Sequence, residues 1–264
     1  MMFGNATSPE DFWNQSSFSF KFFSLTSVIL FVISLIFTSL SYLFMDIPSL
    51  TIFSFQIWRL FFSFYAQLPN PMSIISLLFS FLWMRPMFKV KYFITKDEES
   101  SIYKVIEVVL INLEIHLVFN ILALILGIFI ENTYTLGFGW FPVILVYEFR
   151  NSTINPEAVR NLCCLPFLIK AKYFPWVLLA ILGLFSNQFL CFVACGIVGY
   201  FQEVIWREMF LKLPFGFYSK LESCLPKSIT NRSDYISISQ SESSLKSKCL
   251  SSFGSLFSRN ESHF

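Results

Sequence analysis

Histidine is almost missing from this chain of 264 residues, in which His116 and His263 are the only two. Six cysteines are present, but none forms a Cys-x-x-Cys pair, so the ligand spacing typical of structural zinc sites is absent. No nucleotide-binding or cofactor-binding motif is present either. The residues therefore predict no metal site and no bound cofactor.

Charge is also scarce, since charged residues make up 14% of the chain and hydrophobic residues 55%. The apolar residues gather in six stretches, approximately 22–44, 60–84, 105–130, 133–149, 173–185 and 189–205. A membrane-spanning helix needs about 20 apolar residues. The pattern predicts an all-α polytopic membrane protein with six helices and no soluble catalytic domain.

Eighteen of the 19 Lys and Arg residues lie in alternate connectors between these stretches or towards the two ends of the chain, and Arg59 is the exception. Basic loops resist translocation and stay in the cytosol, so both termini are predicted to be cytosolic. We expect a cytosolic segment over 1–21, a membrane domain over 22–210 and a cytosolic tail over 211–264. The basic face suits a lipid bilayer with anionic headgroups, and no nucleic-acid partner is expected.

The tail differs in composition from the rest of the chain. Fifteen of the 54 residues in 211–264 are serine, and no apolar period is sustained there. A segment of this kind buries too little apolar surface to offset the entropy of ordering. The sequence therefore predicts a disordered tail.

The third stretch carries Glu107, Asn112, Glu114 and His116 within an apolar run. Glu107 and Glu114 are seven residues apart and share a helix face, whereas His116 lies nearer the opposite face. Polar groups inside a membrane usually face the bundle interior or a wet cavity. Two interpretations stay open: polar groups bonded to neighbouring helices near an interface, or a hydrophilic groove or proton-linked site.

Two other features stand out. The fifth stretch, 173–185, is short enough to thin the nearby bilayer, and Lys170 and Lys172 bound it on the cytosolic side.

Trp58 and Arg59 lie in the first non-cytosolic loop. A lone arginine there needs acceptors, so we expect it to bind backbone carbonyls of a folded loop. Residues 60–68 are predicted to form a short helix or embedded loop, with the second spanning helix beginning near Met72.

The Trp58-Arg59 pair, the six stretches and the cytosolic N-terminus resemble the rhomboid-like superfamily. Asn155-Pro156, followed by Pro175-Trp176 in an aromatic and aliphatic run, is similar to the pattern of the Derlin family within it. The resemblance implies a six-helix rhomboid-like bundle in which these residues are structural.

Gly196 and Gly199 in the sixth stretch extend the resemblance, although Tyr200 stands where Derlins have histidine. A rhomboid protease would need a Gly-x-Ser motif at the start of the fourth span and a histidine in the sixth. Here 137–140 reads Gly-Phe-Gly-Trp, and 189–205 contains no histidine. A serine without a base is a poor nucleophile, so we expect a pseudoprotease and no enzyme.

Derlins work in degradation of proteins of the endoplasmic reticulum. The resemblance implies retrotranslocation of misfolded protein substrates to the cytosol, with a ubiquitin ligase complex and the AAA ATPase valosin-containing protein as partners. The tail sequence 253–259, Phe-Gly-Ser-Leu-Phe-Ser-Arg, partly matches the motif that recruits this ATPase. The expected location is the endoplasmic reticulum membrane, or a plastid-derived membrane as in some parasites. Alternatives are a scaffold that binds transmembrane helices without dislocating them, and a small-solute transporter.

Overall fold

The computed structural model describes residues 9–14, 16–65, 74, 77, 78, 80–82, 84, 100–126, 139–161, 168–185, 189–204, 215–232 and 235–237. Several expectations fall beyond these residues. They are the helix start near Met72, the Gly-Phe pair at 137–138, the tail beyond 237 and the ATPase-motif match at 253–259.

The described residues are mostly helical. In chain order the helices are α1 (Pro9–Asn14), α2 (Phe18–Ile36), α3 (Thr38–Phe44), α4 (Pro48–Phe53), α5 (Trp58–Phe62), α6 (Ser101–Leu126), α7 (Phe141–Ile154), α8 (Phe174–Phe185), α9 (Phe189–Val204), α10 (Phe215–Ser223) and α11 (Lys227–Thr230). A 3₁₀ turn, Ser63–Tyr65, follows α5, and further helical residues occur between 74 and 84. Two strands, β1 (Val159–Asn161) and β2 (Leu168–Lys170), lie between α7 and α8.

Among the described helices, α2 and α6 are long and apolar enough to cross a membrane. They have 19 and 26 residues, or about 28 and 39 Å as helix. Large apolar side chains on both remain exposed, among them Leu25 on α2 and Ile121 on α6. These two helices weakly suggest association with a membrane.

The described residues confirm only part of the predicted six-helix bundle. Helices α7, α8 and α9 have 14, 12 and 16 residues, fewer than the roughly 20 that an ordinary bilayer needs. The first apolar stretch is divided, because Phe37 leaves helical backbone at φ −116° and ψ 84° and ends α2. Of the short helix or embedded loop expected over 60–68, residues 60–65 are described, and they form the end of α5 and the 3₁₀ turn that follows it; residues 66–68 lie outside the described residues.

The core lies where α6, α7 and α9 pack together, and aromatic rings join α2 to it. The Trp140 ring, just before α7, lies 4.9 Å from the Phe23 ring and 4.5 Å from the Phe64 ring, centroid to centroid. Its indole Nε1 donates to Ser27 Oγ at 2.9 Å. Because Ser27 is halfway along α2, the short helix α7 begins deep inside the bundle.

Two glycines allow α9 to approach its neighbours closely. A Cβ atom at Gly199 would lie 2.7 Å from Phe149 Cβ, and one at Gly196 would lie 2.9 Å from Leu179 Cδ1. Real Cβ atoms do not approach so closely. Gly199 is therefore required by the contact of α9 with α7, whereas the end of the Leu179 side chain can shift to admit a larger residue at Gly196.

The all-α expectation has one small exception, an antiparallel hairpin between α7 and α8. In it Val159 pairs with Lys170 and Asn161 with Leu168. The apolar periodicity gave no sign of it because each strand has only three residues. The chain enters α8 shortly after this hairpin ends.

The expected disorder of 211–264 does not hold for the described part of the tail. Residues 215–232 and 235–237 form a folded segment, called here the C-terminal clasp, that contains α10 and α11. Tyr218 of α10 packs on Ile102 and Tyr103 in the first turn of α6. Spacing of three to four residues between Tyr218, Leu221 and Leu225 produces the packed face, although serines surround it.

Candidate functional site

The polar residues of α6 form two rows on the helix. Asn112, His116 and Asn120 are spaced by four residues and share one face, whereas Glu107 and Glu114 share another. All five are buried, with Glu114 the most exposed at 8%. The four residues expected to line a groove are therefore inside the protein, and three of them bond to different elements.

One polar cluster surrounds Asp46, which is fully buried between α3 and α4. His116 Nδ1 lies 2.8 Å from Asp46 Oδ2, and Asn120 Nδ2 donates to the same oxygen at 2.7 Å. Thr51 Oγ1 donates to Asp46 Oδ1 at 2.7 Å. The Asp46 carboxylate thus fixes the segment between α3 and α4 to α6.

Asn112 makes the second connection from α6. Its Nδ2 donates to the Leu60 carbonyl oxygen at 2.7 Å and to Ser63 Oγ at 2.9 Å. This contact satisfies a backbone carbonyl near the end of short helix α5. Buried backbone groups need such partners because no water reaches them.

Glu107 makes the third connection, an ion pair between α6 and α7. Arg150 Nη1 donates to Glu107 Oε1 at 2.9 Å, and both side chains are 1% exposed. The Arg150 guanidinium also lies 5.3 Å from the centroid of the Tyr147 ring. Burial of both charges makes the loss of either one costly.

Arg59 has the structural role expected for it. The guanidinium donates to the backbone carbonyl oxygens of Tyr42 and Met45, and Arg59 Nε donates to Gln56 Oε1 at 2.6 Å. The neighbouring Trp58 Nε1 donates to the Leu43 carbonyl oxygen at 3.3 Å. The prediction that Arg59 binds carbonyls of a folded loop is confirmed.

The Asn-Pro and Pro-Trp motifs lie at the two ends of the hairpin region. Asn155 caps the end of α7, and the Pro156 carbonyl oxygen accepts the Lys172 amide at 3.1 Å. Pro175 is buried in the first turn of α8. The Trp176 ring meets the Phe149 ring edge-on at 4.8 Å. These residues position α8 against α7.

The charges beside α8 form an exposed ion-pair cluster. Lys170 Nζ lies 2.8 Å from Glu157 Oε2, and Lys172 Nζ lies 2.9 Å from Glu157 Oε1. Their hydrogen bonds lower the pKa of Glu157 to about 2 and raise the pKa of Lys172. The start of α8 therefore stays charged at neutral pH.

Sequence reasoning missed Asp46, Asn120 and Arg150. Asp46 lies 70 residues from His116 along the chain, and Arg150 lies 43 residues from Glu107. Only Asn120 had a local signal, the spacing of four residues that it shares with Asn112 and His116. A search for helix faces with that period would have found it.

Within the part of the chain that the structure describes, no group of three or more His, Cys, Asp or Glu residues is placed to hold a metal ion. No protein-family model, no curated protein and no solved structure matches this chain.

Proposed function

We propose that this protein is a Derlin-like, multi-pass component of the endoplasmic reticulum membrane that assists retrotranslocation of misfolded proteins. Both termini lie in the cytosol. A ubiquitin ligase complex and the AAA ATPase valosin-containing protein act with it, because the chain has no ATP-binding motif of its own. The protein is a pseudoprotease and catalyses no reaction.

The observation that carries this proposal is the length of α8. Its 12 residues span about 18 Å, against a hydrocarbon core of about 30 Å. The N-terminal end of α8 is charged, because the ion pairs of Lys170 and Lys172 with Glu157 lie there. Lipid around such a helix must thin, and a thinner apolar layer lowers the barrier to a polar polypeptide.

The polar residues of α6 are the second part of the proposal. Glu107 and Asn112 are bonded to α7 and α5, so they do not line an open groove in this conformation. A groove along α6 forms only when these neighbours separate from it. Retrotranslocation therefore requires a conformational opening, and substrate or partner binding supplies its free energy.

The same closed packing favours a second candidate, a scaffold that binds transmembrane helices without dislocating them. Buried polar groups that are bonded to their own neighbours stabilise a fixed bundle. A scaffold needs only the exposed apolar faces of α2 and α6 to contact a partner helix. The two candidates differ in whether α8 must be short.

A degradation reporter separates them. Replacing Lys170→Leu together with Lys172→Leu removes the two bases at the start of α8, so apolar residues continue back from α8 into β2 and the lipid needs to thin less there. Turnover of a misfolded lumenal protein should slow, while Lys170→Arg with Lys172→Arg should behave as wild type. Unchanged turnover in the leucine variant at matched expression rejects the thinning mechanism and favours the scaffold.

Glu114→Leu tests the groove independently. Removing this charge should leave insertion equal or improve it, by up to about 2.5–3.5 kcal/mol on insertion scales. Slower turnover with normal insertion supports a groove that includes Glu114. Normal turnover contradicts it.

Orientation is tested by glycosylation acceptors. An acceptor introduced between Met45 and Ser54 should be modified, whereas one between Lys96 and Ser101 should not. Modification at the second site contradicts the proposed orientation.

A further inference from the structure

The C-terminal clasp is attached to the first turns of α2 and α6. The Ser101 amide donates to the Ile236 carbonyl oxygen at 2.9 Å, and the Ile236 amide donates to Ser101 Oγ at 2.9 Å. The Tyr235 ring meets the Phe18 ring edge-on at 5.3 Å. The clasp therefore lies at the end where the two long apolar helices begin.

An apolar recess opens between the clasp and these helix ends. Its volume is about 100 Å³, and its lining includes Phe18 and Phe22 from α2 and Leu225 and Ile229 from the clasp. Pockets for whole drug-sized ligands measure about 300–1,000 Å³. This recess can admit only part of an extended apolar molecule.

The recess continues onto an exposed apolar stripe of α2. Phe22, Leu25 and Ile29 are spaced by three and four residues and lie on one face. They are 41%, 54% and 47% exposed, respectively. A hydrocarbon chain that enters the recess beside Phe22 can therefore extend along α2.

The charge around the recess is basic. In sequence, 215–237 contains three bases, Lys220, Lys227 and Arg232, all exposed, and two acids, Glu222 and Asp234. The Arg232 guanidinium lies 5.8 Å from the centroid of the Phe18 ring, at the rim of the recess. Glu222 Oε1 accepts the Tyr235 hydroxyl at 2.9 Å, which holds the acid within the clasp.

We propose that the clasp and the first turns of α2 and α6 form a binding site for one anionic glycerophospholipid of the bilayer. Its phosphate lies near Arg232 and Lys227, and one acyl chain occupies the recess and continues over Leu25. Apolar space beside cationic side chains, at the end of a helix long enough to cross a membrane, matches the two chemical halves of such a lipid. The proposal depends on the membrane placement of α2 and is independent of retrotranslocation.

The test uses the full-length protein in mild detergent with phosphatidylserine or phosphatidylcholine added. Bound lipid is counted by native mass spectrometry, and the thermal midpoint is measured in parallel. Wild type should retain phosphatidylserine in preference to phosphatidylcholine. Arg232→Gln should weaken that preference about fivefold, the contribution of one base near an anionic surface, while Arg232→Lys should keep it.

Ile229→Phe tests the apolar half, because the larger ring fills the recess. It should reduce retention of phosphatidylserine while the midpoint without lipid stays close to that of wild type. Equal retention of the two lipids by wild type overturns the site. So does an unchanged preference in Arg232→Gln, or equal stabilisation by inorganic phosphate alone.

Discussion

Two of the buried polar centres on helix α6 are built differently. Glu107 pairs with Arg150, so one helix is joined to another through two charges. Asp46 instead accepts hydrogen bonds from three different residues, and its carboxylate joins a connecting segment to the helix. The first centre fixes helix against helix, whereas the second fixes the position of an irregular segment.

The two centres should lose stability for different reasons when a residue is replaced. At the first centre, removal of one partner leaves an uncompensated buried charge. At the second, a change of acceptor leaves hydrogen-bond donors short of a partner, which costs less per group. The expected destabilisation should therefore fall in that order.

The largest effect is expected at the ion pair. Arg150→Met or Glu107→Leu alone should destabilise the protein by about 3–5 kcal/mol, because the remaining charge stays buried. The double variant should cost much less than the sum of the two. Denaturant unfolding in micelles measures all three, and additive costs would show that the two residues act independently.

A smaller effect is expected at the second centre. Asp46→Asn keeps one acceptor oxygen but places an NH₂ group against the donors of Asn120 or Thr51. The cost should be about 1–3 kcal/mol for the group left unsatisfied. Faster hydrogen exchange should be confined to α3, α4 and the middle of α6. Equal loosening near Glu107 would contradict the separation of the two centres.

Arg59→Ala should loosen the loop that carries Asp46, and it also removes a cation that interacts electrostatically with Asp46. The carbonyl groups of Tyr42 and Met45 lose their donor, at about 1–3 kcal/mol for the buried groups. Protein abundance should fall, and Arg59→Lys should restore only part of it because lysine lacks the fork of donors. Normal abundance with lost substrate turnover would instead indicate that Arg59 contacts substrate.

The smallest effect is expected at the exposed cluster of Glu157. Its pKa is lowered in the folded state to about 2, so its stabilising contribution is present above the ordinary carboxyl pKa. That contribution is lost as the pH falls from about 4.5 towards 2. Glu157→Gln should remove this part of the acid dependence and change stability little at neutral pH. A midpoint strongly altered at neutral pH would refute this assignment.

Local chemistry made some of these features predictable. Continuous apolar runs predicted α2 and α6, and the isolated charge of Arg59 predicted its carbonyl partners. The partners of Glu107 and His116 were not predictable, because residues distant in the chain supply them. The clasp was missed because its serine content masked the short apolar period of Tyr218, Leu221 and Leu225.

The ring of Phe149 couples the packing of three helices. It meets Gly199 of α9 on one side and the Trp176 ring of α8 on another. The Phe149 ring fills space that both neighbouring helices border. Gly199→Ala therefore overfills this space, whereas Phe149→Leu leaves a void. The two costs should not offset each other, because leucine keeps the Cβ and Cγ atoms of residue 149 that approach Gly199 most closely.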